Sequence, residues 1–406
     1  MAQINRRNFL FNGLAGGCSL AASPLITPVA LASAPWEHRL VVIVLRGAMD
    51  GLDTLRPHGD PNFAALRPSL TNAIADIPLV DGFAMHGGLS ELLPLWEAGE
   101  LSFAHAVSTP YRDGRSHFKG QDLLEAGTGF VPGQPTTRDG WLNRMLQTVP
   151  GITSETAYAI GTNDMIILSG NAPSSNWLQG FQLRMSDQAE RLLELVYHDD
   201  DLFRTALNAA QGVSETILTE QMLGTNEPGE MMDAGSMAGV SKRDLALAEF
   251  ASSRLRAETR IAAFSLNGWD THRDQAWQLE VNLRKLAATI LQLKQGVGPK
   301  IWANTTVVTM TEFGRTAREN GSSGTDHGTG GAMLFAGGAV RGGKIHADWP
   351  GLSEADLYKR RDLMPTQDVR AYAAALMREG FGLGVSDLER HVFPGLDMGQ
   401  LGGILR

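Results

Sequence analysis

Six consecutive apolar residues, Leu40-Val41-Val42-Ile43-Val44-Leu45, set the strongest limit on the fold. The run is too short for a buried helix, is mostly β-branched and offers water no polar side chain. It therefore reads as a strand covered on both faces, the habit of a parallel sheet. It leads straight into a glycine-punctuated turn, Arg46-Gly47-Ala48-Met49-Asp50-Gly51. The same succession recurs at Leu101–Val107 before Tyr111 to Phe118, at Arg260–Leu266 before Gly268-Trp269-Asp270-Thr271-His272, and at Thr305–Met310 before Thr311-Glu312-Phe313-Gly314-Arg315. A fifth strand candidate, Ala332–Ala336, instead follows Thr325-Asp326-His327-Gly328. Helical patterns at Gly88–Leu101, after Ser116 to Ala126 and from Gln275 to about Gln295 lie between these runs. Strands alternating with helices predict an α/β fold, a three-layer sandwich with a mostly parallel central sheet.

The chain is 406 residues long, and one large sheet can organise a mature domain of this size. A helical insertion is expected at about residues 185–256, with the Gly/Met/Ser-rich stretch 224–239 read either as a mobile connection or as a plain surface loop. Residues 1–34 read as a twin-arginine export signal: Arg6-Arg7 before Phe9-Leu10, an apolar stretch broken by glycine and proline, then Ala32-Ser33-Ala34 before Pro35. This places the mature domain at 35–406 in the periplasm or otherwise outside the cytoplasm, with the twin-arginine translocation machinery as a partner. No uninterrupted apolar run reaches the roughly 18 residues of a membrane span, so no stable membrane insertion is expected after cleavage.

The only cysteine, Cys18, falls in the export signal, so no disulfide or thiolate metal site is available. Any metal must be held by His, Asp, Glu or hydroxyl oxygen. With 35 basic residues against 44 acidic ones, nothing in the charge favours nucleic acid.

In open α/β sheets, ligands bind beyond the carboxyl ends of the strands. Asp50, Ser116-His117, Asp270 with His272, and Glu312 all follow strand candidates, and Asp326-His327 precedes one. Carboxylates gathered at one edge repel unless a cation neutralises them. Asp270 and His272, two apart on an extended segment, fall on the same side and could chelate one ion. Each has a plain alternative: Ser116 as an ordinary helix N-cap, Asp270 as a turn residue, and Arg46, Arg115 and Arg315 as structural partners of carboxylates.

The motifs Leu45 to Gly51, Arg115-Ser116-His117-Phe118, Asp139-Gly140-Trp141-Leu142, Gly268 to His272, Thr311 to Arg315 and Gly324 to Gly328 resemble the domain of unknown function 1501 family, and through it the alkaline phosphatase and sulfatase superfamily. That resemblance implies an alkaline phosphatase-like sheet and a hydrolase of phosphate or sulfate esters using one or two divalent ions, Zn, Mn, Ca or Mg. It implies Ser116 as nucleophile at a helix N-terminus and Arg315 as a second catalytic group on the substrate anion. It further implies Asp50, Asp270, His272, Glu312, Asp326 and His327 as metal ligands, with Arg46, Arg115 and His117 meeting a small anionic ester. The superfamily places Asp-His-Gly where this chain has Glu312-Phe313-Gly314. Phe313 cannot ligate a metal, which opens the alternative of a non-catalytic periplasmic binding or assembly protein with a degenerate site.

Overall fold

In the computed structural model, which describes residues 35–71, 75–112, 114–129, 139–161, 165–178, 240 and 242–406, the apolar run becomes β1, Arg39–Arg46. The other strands of its sheet are β2 (Leu101–Ser108), β3 (Ala157–Ile160), β4 (Ser175–Trp177), β5 (Ile261–Asn267), β6 (Thr305–Met310), β7 (Gly331–Ala336), β8 (Lys344–His346) and β9 (Gln367–Asp368). The main helices are α1 (His117–Ala126), α2 (Trp141–Gln147), α3 (Lys242–Leu255), α4 (Gln275–Trp302) and α5 (Val369–Phe381).

The nine-stranded sheet runs β8-β2-β7-β6-β1-β5-β3-β4, with β9 also pairing β2. Every pairing is parallel except those of β7, which is antiparallel to both β6 and β2. β1 is central, with Leu40 opposite both Ile261 of β5 and Thr306 of β6. Its alternate residues enter two separate cores. Leu40, Val42 and Val44 join α2 and α5 on one face; Val41, Ile43 and Leu45 join α3 and α4 on the other. This double burial is why the run carries no polar residue, and it makes the molecule a three-layer α/β sandwich.

The reversal of β7 positions the site. Segments that follow β1, β2, β5 and β6 emerge at the carboxyl edge of the sheet, and the segment that precedes β7 arrives at that same edge. His327 is thereby brought beside Asp270 and His117. Gly47 permits the close approach of two of these turns: its φ is +120°, and a Cβ there would stand 2.6 Å from the Asp270 nitrogen.

The predicted signal at 1–34, most of the predicted insertion and the 224–239 connection lie outside the described residues; the end of the insertion forms α3. Among the described residues, no helix is long and apolar enough to cross a membrane.

Candidate metal centre

Four side chains converge at the carboxyl edge. His117 is the first residue of α1, following Ser116 in an extended conformation at the N-cap. Asp270 and His272 lie in the turn after β5, tightened by hydrogen bonds from Thr271 N to Trp269 O and from His272 N to Asp270 O. His327 sits in a loop that bridges Arg315 and is pinned by Gly328 N donating to Gly314 O at 2.8 Å.

The Nε2 atom of His327 lies 3.0 Å from Nε2 of His117 and 3.0 Å from Nε2 of His272. Oδ1 of Asp270 is 3.1 Å from His272 Nε2, 3.2 Å from His327 Nε2 and 3.5 Å from His117 Nε2. Ligands bound at about 2.0–2.2 Å around one zinc ion stand at comparable separations. Among the described residues, His117, Asp270 and His327 offer ligand atoms all within 4.8 Å of one another, and His272 joins them through Asp270 and His327.

The far side of each ring decides what the near side can do. His117 Nδ1 is 2.7 Å from Glu312 Oε1, His272 Nδ1 is 3.1 Å from Asp326 Oδ1, and His327 Nδ1 is 3.0 Å from the Arg115 carbonyl oxygen. Oxygen acceptors at all three positions assign the ring proton to Nδ1 and leave the Nε2 lone pairs facing one another and the Asp270 carboxylate. This outer ring of acceptors is how metal-ligating histidines are oriented and made more basic. A proton on His117 Nε2 would relieve its contact with His327, but the His272–His327, His272–Asp270 and His327–Asp270 contacts would remain acceptor against acceptor. The donor set therefore fits a divalent cation.

The surrounding charges shift the groups of the site in different directions. Glu312 raises the His117 imidazole through its hydrogen bond and charge, against the opposing effect of burial. Burial pushes the Glu312 carboxyl up, yet His117, Gln121 and backbone N–H groups outweigh it and hold the group below its usual range. Asp270 is likewise pushed up by burial and held low by Arg315, His272 and His327. The His327 imidazole is lowered by burial first and then by the neighbouring His117 and Arg315 charges.

Of the expected metal ligands, Asp270, His272 and His327 come together, and His117, expected to meet substrate, joins them. Glu312 stands behind His117, and Asp326, also held by Asn320 Nδ2 at 3.2 Å, stands behind His272. Asp50 is elsewhere: 1% exposed, it caps the Gly51–Thr54 turn through Asp53 N and accepts from Arg67 Nη1 and Gln275 Nε2, each at 2.8 Å. Both its oxygens accept from protein donors, and it faces Arg67 and Gln275 rather than the histidine cluster.

Arg315 also departs from expectation. It is 1% exposed and donates to the carbonyls of Ala48, Thr325, Gly47 and Trp269 as well as to Asp270 Oδ1 at 2.5 Å. Its guanidinium is buried against these protein acceptors, and it orients Asp270. Arg46 is paired with buried Glu125 at 2.5 Å and with Gln121 at 2.8 Å, and Arg115 is exposed. The Ser116 hydroxyl has no hydrogen-bond partner among the described residues. Phe313 is buried and stacks on His117, with ring centroids 5.1 Å apart and planes at 27°. It packs the ligand instead of supplying one. Sequence reasoning missed the metal-facing role of His117, although its place in the first turn of a helix after β2 was visible, and it missed Asn320 and Gln275 altogether. A cleft of about 480 Å³ opens beside the cluster, bounded by Arg46, His117, Phe118, Gln121, Asn267 and Asp270.

A family model described as a protein of unknown function (DUF1501) matches residues 102–389. No curated protein matches the chain in sequence. Among solved structures, a lipoteichoic acid synthase from Listeria monocytogenes is 8% identical, covering 79% of this chain and 69% of that one, with a TM-score of 0.36. The C-terminal periplasmic domain of EcEptC from Escherichia coli, in complex with Zn, is 12% identical, covering 75% and 74%, with a TM-score of 0.33. A protein in the alkaline phosphatase superfamily from Vibrio parahaemolyticus is 10% identical, covering 85% and 68%, with a TM-score of 0.36.

Proposed function

The chain belongs to the DUF1501 family, whose name carries no activity, and from its histidine cluster we propose a metal-dependent hydrolase of phosphate or sulfate esters. The observation that carries the reading is the convergence of three Nε2 lone pairs and one carboxylate, each imidazole being held from behind by an oxygen acceptor. Of Zn, Mn, Ca and Mg, imidazole-rich coordination favours Zn, since Ca and Mg prefer oxygen ligands. A divalent ion bound there would polarise an ester oxygen and lower the pKa of a hydroxyl or water.

The protein's own groups divide the remaining work. His117, Asp270, His272 and His327 hold the ion, and Arg315 fixes the Asp270 oxygen that faces it. Ser116 is the proposed nucleophile: its hydroxyl is free of hydrogen bonds among the described residues and stands at the N-terminus of α1, where unpaired N–H groups favour negative charge. Arg115, exposed one residue before it, is the guanidinium proposed to meet the ester's anionic oxygens. The adjacent cleft receives the remainder of a small anionic ester. We further propose that the Arg6-Arg7 motif directs export through the twin-arginine machinery to the periplasm.

Protein expressed with Zn or Mn in the medium should contain close to one equivalent of metal. It should hydrolyse at least one member of a phosphate and sulfate ester panel, and Ser116→Ala should abolish turnover while leaving metal content intact. Turnover undiminished in Ser116→Ala would remove the nucleophile assignment; absence of metal would remove the reading as a whole.

A further inference from the structure

Gln275 is the first residue of α4, wholly buried, and every hydrogen-bonding capacity of its amide is used. Nε2 donates to Asp50 Oδ2 at 2.8 Å and to Asp53 Oδ2 at 2.9 Å, which fixes the orientation of the amide, since an oxygen there would face two carboxylates. Oε1 then accepts from the hydroxyls of Thr271 at 2.9 Å and Thr325 at 2.6 Å, both 0% exposed. Thr271 lies between Asp270 and His272. Thr325 is followed by Asp326, which holds His272, and by His327.

The carboxylate side of this bridge is rigid. Asp50 is gripped by Arg67, and Asp53 by Arg56 at 2.7 Å, with both guanidiniums fully buried. The Oε1 atom, through Thr271 and Thr325, joins both histidine-bearing loops, as the buried Arg315 does through Trp269 O, Asp270 Oδ1 and Thr325 O, and the loops also meet through Thr325 N donating to Thr271 O at 3.1 Å. The start of α4 is tied to the second loop again by Asp274 N and Gln275 N donating to the carbonyls of Ser322 and Ser323.

We infer that Gln275 is a positioning residue: its amide locks the Asp270–His272 turn and the Thr325–His327 loop in one register against the buried Asp50/Asp53 pair, so that two imidazoles and one carboxylate meet at a single point. The inference rests on the metal-centre reading for its purpose, but not for its geometry. It explains why a carboxylate after β1, Asp50, supports the centre without facing it.

The test uses the full chain, Co(II) as the metal probe and backbone amide exchange of the metal-free protein. Gln275→Glu keeps the side chain's size but sets an oxygen against Asp50 and Asp53. Thr271→Val and Thr325→Val each remove a single hydroxyl arm and serve if the first variant fails to fold. All three should speed amide exchange in residues 270–272 and 324–328 together, about tenfold or more, with residues 116–118 unchanged. Co(II) affinity should fall about 10- to 100-fold with an altered visible spectrum, the range expected when support behind a ligand is lost. A lowered melting temperature with wild-type exchange in both loops and a wild-type Co(II) spectrum would overturn the inference. Should the wild-type protein take up no Co(II), the proposed function fails, while the exchange result still decides the role of Gln275.

Discussion

Asp50 and Asp270 occupy equivalent places, each in the turn that follows a central parallel strand, yet their surroundings are opposite. Asp50 is buried among donors: Arg67, Gln275 and a backbone N–H all point their hydrogens at it. Asp270 is half exposed, takes one guanidinium from Arg315, and turns the same oxygen toward three imidazole nitrogens with no proton to offer. The first carboxylate is balanced by the protein and serves the fold. The second is left with a surplus of acceptors, which is the condition for binding a cation. Position at a strand end selects candidates; the protonation state of the neighbours separates a scaffold from a site.

The largest effect that would sharpen this contrast belongs to the buried region. Arg67→Met should leave Asp50 as an uncompensated buried charge and cost about 3–5 kcal/mol in denaturant unfolding of the metal-free protein. The reciprocal change at the centre, Asp270→Asn, keeps an oxygen for Arg315 and relieves acceptor crowding, so it should cost less metal-free stability than Arg67→Met, while weakening Zn or Co(II) binding by about 100-fold or more. Equal stability losses in the two variants would erase the distinction.

A histidine outside the cluster extends the comparison to pH. His105 is buried, with Nε2 on the Leu55 carbonyl and Nδ1 accepting from Ala106 N, so both ring nitrogens are satisfied in the neutral form. Burial lowers its pKa to about 4. Since the unfolded imidazole titrates near 6.5, the unfolded state takes up more protons between those values, and stability falls as pH drops from about 6.5 toward 4. The contribution at stake is at most about 3 kcal/mol, and His105→Gln should flatten that part of the metal-free stability profile. A profile unchanged by the substitution would contradict the neutral structural role.

Smaller effects are expected behind the ligands. Glu312→Gln removes the buried negative charge behind His117 and one of the two acceptor oxygens, and should reduce metal affinity about 10- to 100-fold. Asp326→Asn acts on a more exposed contact behind His272 and should cost less, about tenfold, read by competition with a chelator. An Asp326 effect larger than that of Glu312 would reverse the ranking drawn from burial.

Much of this frame was legible in the residues. The run from Leu40 to Leu45 announced a doubly covered strand, Thr305–Met310 coincides with β6, and the Asp270-x-His272 and Asp326-His327 motifs reach the same point. What was not legible depended on three-dimensional neighbours. Hydrophobic patterning gives a strand's burial but not its direction, so the reversal of β7 that delivers His327 to the carboxyl edge was hidden. Residue type alone could not separate Asp50 from Asp270, because Arg67 and Gln275, which balance Asp50, are distant in the chain. Glu312 and Asp326 were recognised as belonging to the site but placed one layer too close, since a carboxylate that holds a ligand and one that is a ligand look alike in sequence. Phe313, which suggested a degenerate site, instead packs against a histidine supplied from α1.

The central claim is that the converging imidazoles and Asp270 hold a metal ion, and metal content measured beside direct titration with Co(II) tests it most simply. The account predicts close to one equivalent in the wild-type protein, a Co(II) spectrum characteristic of nitrogen and oxygen ligands, and loss of both in Asp270→Asn and His327→Ala. Less than about a tenth of an equivalent after expression in metal-replete medium, with no uptake of Co(II) or Zn, would contradict it.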